Sequence, residues 1–73
     1  MRLCDKIAAL RAQHGLNQRQ FAAKLGISAA FVCGMEIGRA KVPPGIVTVI
    51  ASLFPIDKAE WMRAGARERG WDV

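Results

Sequence analysis

NQRQFAAKLGISAAFVCGMEIG, residues 17–38, reads as two short helices joined by a tight turn. Asn17 is a good N-cap residue, and Gln20 stands three places on, where a capping box needs it. Phe21, Ala22 and Leu25 then recur at helical spacing on one face. Gly26 can take the left-handed conformation that ends a helix. Ile27 is an apolar plug. Ser28 is placed to cap a second helix that carries Val32 and Met35 inward, and Gly38 closes it. Ala22 falls where the two helices cross closely, and a larger side chain would hold them apart. A lone glycine between two apolar segments would say little. Alanine, glycine, buried aliphatic, serine cap and second apolar face together meet the spacing of a helix-turn-helix.

On either side of this stretch the pattern stays helical. A first helix is expected from about Leu3 to His14, with Leu3, Ile7 and Leu10 inward and Gly15 as its stop. Leu16 enters the core as the chain turns. Residues 38–42, GRAKV, form a basic loop. Pro43 and Pro44 open a fourth helix, since proline is tolerated in a first turn. Ile46, Val47, Ile50, Leu53 and Phe54 give that helix a wide apolar face. Its β-branched content would also suit a strand, but the spacing and the proline start favour helix. Pro55 ends it. Asp57 caps a C-terminal helix at about 57–69, with Glu60 in the capping-box position and Ile56 set to staple against Trp61. Gly65 weakens this helix by about 1 kcal/mol relative to alanine. The final GWDV is expected to order only if Trp71 meets a partner surface.

Seventy-three residues suffice for one domain, 1–73, with one small core, and 52% apolar residues make such a core feasible. No apolar run nears the ~20 residues of a membrane span. Asp5 and Lys6 stand where a signal peptide would be apolar, so a cytoplasmic location is expected. Cys4 and Cys33 are then expected to stay reduced. One histidine and two distant cysteines make no metal site, and no catalytic constellation is present, so neither cofactor nor enzymatic activity is expected. The net charge of +5 is unevenly spread. Residues 1–42 carry seven Arg and Lys against two acids, and residues 43–73 carry four against four. Segregation of this kind suits a phosphate-facing surface better than a solubility charge.

The chain resembles the Cro/C1-type (XRE-like) helix-turn-helix family of small DNA-binding repressors. The matching elements are Leu10-Arg11 before Gly15-Leu16, then Gln18, Phe21-Ala22, Leu25-Gly26-Ile27-Ser28, Val32, and Glu36 with Gly38. They cover roughly Ile7 to Phe54. The resemblance implies an all-α, compact five-helix fold of the lambda-repressor-like kind. Gln18 to Leu25 would be its positioning helix and Ala29 to Glu36 its recognition helix. It also implies that Arg11 bridges to Glu36 at the end of the recognition helix, orienting it.

Binding double-stranded DNA needs phosphate contacts for register and base-edge contacts for sequence. The helix beginning at Gln18 presents unpaired N–H groups and a positive dipole end to phosphate. By resemblance Asn17 and Gln18 also brace the backbone from their side chains. Arg19 and Lys24 lie on the polar side of that helix, and Arg39 and Lys41 sit in the following loop. The alternative is that these charges only solvate a surface. Base reading maps by resemblance to Ala29, Ala30, Cys33 and Gly34, none of which offers a bidentate hydrogen-bonding group. Alanine can pack on thymine methyls, Gly34 can permit close approach, Ser28 and Cys33 can add weak polar contacts, and Phe31 can stack. Specificity then rests on methyl contacts, the basic loop and DNA shape, or this helix has turned to a protein partner. Cys33 is read as a small residue chosen for fit in preference to a redox switch.

The expected function is that of a sequence-specific repressor acting on a palindromic operator as a homodimer, with its own gene among the candidate targets (autoregulation). Such dimers place two recognition helices in successive major grooves, ~34 Å apart. Trp61, Met62 and Trp71, in the neutral half, are candidate dimer anchors, with Trp61 expected in the core in preference and Trp71 the better interface candidate. The alternative is a protein-interaction module, such as an antitoxin or adaptor, that docks through the apolar recognition helix. No small-molecule ligand is expected of so short a chain.

Overall fold

The computed structural model describes residues 2–69 and contains five helices: α1 (Leu3–Gln13), α2 (Gln18–Leu25), α3 (Ala29–Glu36), α4 (Pro44–Leu53) and α5 (Lys58–Arg69). The breaks between them follow local chemistry. Gly15, Gly26 and Gly38 are the positive-φ positions among the described residues. Two of them, Gly26 at φ 74° in the turn between α2 and α3 and Gly38 at φ 81° just after α3, sit where an L side chain would be strained. Asn17 and Gln20 form the capping box: the Gln20 N–H donates to Asn17 Oδ1 at 2.8 Å, and the Asn17 N–H donates to Gln20 Oε1 at 2.9 Å. Ser28 Oγ accepts the Phe31 N–H at 3.1 Å and so caps α3.

The buried side chains form one cluster. Phe21, Val32, Met35, Ile7, Val47 and Ile50 lie at its centre, and α3 packs against both α1 and α2. Ala22 is buried at the α2–α3 crossing. Phe54 joins this core from outside the helix, which differs from its expected place on the face of α4. The residue before a proline is pushed out of the α region, and Phe54 is accordingly extended at φ −131°, ψ 150°. Its ring reaches Phe21 at 5.6 Å and meets His14 edge-on at 4.8 Å.

Leu53, expected inward, is 49% exposed. Val47, Ile50 and Phe54 take the buried stripe of this segment, and Ile46, Val49 and Leu53 run along its margin, increasingly open toward Leu53. The apolar face is wider than one small core can cover. Trp61 is 7% exposed and belongs to the core of its own chain; Met62 is half-buried and packs against that core. Trp71 lies outside the described residues. The Glu60 half of the second expected capping box is also corrected. Asp57 Oδ1 does accept the Glu60 N–H at 3.2 Å, but the Glu60 carboxylate turns to Lys6 on α1. An opposite charge across the α1–α5 contact competes successfully with a backbone N–H that water can satisfy. Among the described residues no helix is long and apolar enough to cross a membrane.

Candidate nucleic-acid interface

The arrangement of α1, α2 and α3 is tied by one carboxylate. The Glu36 side chain is 7% exposed and accepts three hydrogen bonds. Arg11 Nε donates to Oε2 at 2.7 Å and Arg11 Nη2 to Oε1 at 3.0 Å, a two-point pairing that fits a planar guanidinium to a carboxylate. Gln18 Nε2 donates to Oε1 at 3.2 Å. The remaining arm of the arginine, Nη1, donates to the Leu16 carbonyl at 2.9 Å, which fixes the α1–α2 turn. Hydrogen bonding to Glu36 raises the Arg11 pKa above its already high ordinary value, against an opposing desolvation effect. The guanidinium therefore keeps its charge throughout the pH range of a folded protein.

This geometry changes the role of Gln18. Its amide was expected on phosphate, but it turns inward to Glu36. The capping box occupies the N–H groups of Asn17 and Gln20, leaving those of Gln18 and Arg19 as the orphan donors of the first turn. They point where the positive end of the α2 dipole favours an anion. Arg19 and Lys24 are exposed on the same helix.

On α3 the expected reading residues divide. Ala30 is exposed, Ser28 is exposed but spends its hydroxyl on the cap, and Cys33 is half-buried with a free thiol. Ala29 and Phe31 are half-buried against the core, so Phe31 is less open to stacking than the sequence implies. Gly34 is a correction. It is buried, and a Cβ added there would lie 3.1 Å from the Ala40 methyl. Its carbonyl accepts the N–H groups of Arg39 at 2.9 Å and Ala40 at 3.0 Å. The glycine therefore seats the loop after α3 and does not open the helix to a groove.

Sequence reasoning missed the other end of that seat. Val42 is 2% exposed and anchors the loop to the core immediately after Lys41. With Gly34 holding one side and Val42 the other, Arg39 and Lys41 are left exposed on a fixed backbone. An apolar residue inside a basic run was the available signal. Ile37 extends the outer face of α3: Ala30, Cys33 and Ile37 follow at helical spacing, and Ile37 is 61% exposed. The outward side of the helix is thus an apolar stripe beside a cationic loop.

The tie at Glu36 makes a direct prediction. Replacing Glu36 by alanine strands a partly buried guanidinium and frees Gln18, and should cost about 1–3 kcal/mol in thermal or denaturant unfolding. Glu60→Ala, which breaks the more exposed pair with Lys6, should cost under about 1 kcal/mol. Equal losses in the two variants would contradict the structural role of Glu36.

A family model described as helix-turn-helix matches residues 7–61, well over half of the chain. No curated protein and no solved structure shows a significant match. The capped α2–α3 unit, the Arg11–Glu36 tie and this match agree: the chain belongs to the Cro/C1-type, XRE-like helix-turn-helix family of DNA-binding transcription regulators.

Proposed function

We propose that the protein is a repressor that binds a palindromic operator in double-stranded DNA as a two-fold dimer. In this reading α3 lies in the major groove, and the start of α2 with Arg19, Arg39 and Lys41 holds the phosphates. The observation that carries it is the placement of exposed cations around the helix-turn-helix. Arg19, Lys24, Arg39 and Lys41 are all exposed on α2 and the loop after α3 with no ion pair to another described residue; Lys58, Arg63 and Arg67 on α5 are likewise unpaired, but acids balance the charge of that half of the sequence. Unpaired cations on one side of a helix-turn-helix are what a phosphate backbone neutralises. Base reading falls to the stripe of Ala30, Cys33 and Ile37, whose apolar surfaces match thymine methyl groups, supplemented by DNA shape.

One observation favours a second reading. The same stripe has no bidentate hydrogen-bonding side chain, and an Ile37 that is 61% exposed suits an apolar protein partner, as in an antitoxin or adaptor. Salt separates the two. Fluorescence anisotropy with a duplex from upstream of the protein's own gene, and a scrambled duplex as control, should show preferential binding that falls steeply as salt rises. Equal, weak and salt-insensitive binding to both duplexes would transfer the assignment to the protein partner.

Self-association is proposed through the neutral half of the chain. With Trp61 in the core, Leu53 at the margin of α4 is the exposed large apolar side chain of that half among the described residues, with the half-buried Met62 as a second candidate. Leu53→Glu should convert a dimer to a monomer in sedimentation velocity, with a melting temperature that no longer rises with protein concentration. A dimer that persists in this variant would place the interface elsewhere.

A further inference from the structure

Arg2 stands 36 positions before Gly38 in sequence and against it in space. Arg2 is the extended residue that precedes α1; its carbonyl accepts the Lys6 N–H at 3.0 Å, and its side chain caps nothing. Nη2 of its guanidinium passes over Gly38, 3.4 Å from where a Cβ on that glycine would stand. Gly38 takes φ 81° to end the α3 segment, and the guanidinium lies within ordinary van der Waals reach of it. Asp5, one turn along α1, is exposed and does not pair with Arg2, and no other described carboxylate does. Arg2 thus brings a further cation to Gly38, the chain neighbour of Arg39, where the loop that carries Arg39 and Lys41 begins, and that loop is held by Gly34 and Val42. Gathering like charges without a counter-charge is unfavourable in the free protein, and an oxyanion that several cations share reverses the sign. A guanidinium is well suited to this, since its fork matches two phosphate oxygens.

We propose that Arg2 contacts the DNA phosphate backbone and forms one phosphate-binding cluster with Arg39 and Lys41. This deepens the DNA-binding reading above and rests on it. The arginine supplies affinity without sequence preference, because phosphates are alike at every base pair.

The test measures binding constants of wild type, Arg2→Ala, Arg2→Lys and Arg63→Ala against salt, by anisotropy on the upstream and scrambled duplexes. Arg63 is an exposed α5 cation in the electrically neutral half and controls for net charge alone. For Arg2→Ala the plot of log binding constant against log salt should be shallower by about 0.9, with affinity lowered by the same factor on both duplexes. Arg2→Lys should restore most of the slope, and Arg63→Ala should leave it at the wild-type value. Melting temperatures should stay at wild type, since the Arg2 side chain makes no capping bond. An unchanged slope in Arg2→Ala, or an equal loss in Arg63→Ala, overturns the proposal while leaving DNA binding standing. A wild type whose binding ignores salt overturns the DNA reading and the role of Arg2 together.

Discussion

Glu36 leaves the last turn of α3 with its carboxylate largely screened from water and satisfied by donors from α1 and α2. A charge in that position is costly unless its hydrogen bonds are complete, and an arginine that loses it is equally stranded. Both penalties are avoided in one arrangement only: α1, the α1–α2 turn and the end of α3 must meet at the same point. Apolar contacts among Phe21, Ala22, Val32 and Met35 supply the bulk of the cohesion, but such contacts tolerate small shifts and rotations. The two-point arginine pairing does not. It sets the angle at which α3 projects from the body, and through Gln18 it couples that angle to the start of α2.

The surface that results divides labour between two chemistries. Cations are mounted on backbone that cannot drift, on the capped first turns of α2 and on the loop clamped by Gly34 and Val42. The helix between them offers methyl, thiol and isoleucine surface instead of amides or guanidinium groups. Cationic mounting of this sort gives register and on-rate, and the apolar stripe gives contact only where a matching apolar patch is present. The same constraint explains Gly34. A Cβ there would stand 3.1 Å from the Ala40 methyl, tighter than an ordinary contact, so the loop between the arginine and the lysine would have to give way.

What the sequence made legible was whatever depends on near neighbours. The Asn17–Gln20 box, the Ser28 cap, the left-handed Gly26 and the Phe21–Ala22–Leu25 face are all set within three or four residues, and each stands where its spacing implies. Departures appear where a distant partner competes with a local one. Glu60 prefers Lys6, which is 54 residues away in sequence, to its own capping box, and Gln18 prefers Glu36 to solvent. Leu53 has the right period for burial, but the reversal at Phe54-Pro55 hands its share of the core to Phe54. Gly34 and Arg2 were opaque for one reason: the loop that each of them meets has no periodicity to read. The Arg11–Glu36 pairing was expected from the family resemblance and not from spacing, because nothing local links residues 11 and 36.

In the proposed reading the face built from the start of α2, the outer side of α3 and the loop after it meets DNA. Amide chemical-shift mapping by NMR during titration with a cognate duplex examines that face residue by residue. The largest shifts should fall on the backbone amides of Gln18 and Arg19, on Ala30 and Cys33, and on Gly38 to Lys41, while the α5 amides stay nearly still. Shifts concentrated on α4 and α5, with the α2–α3 unit unmoved, would contradict it.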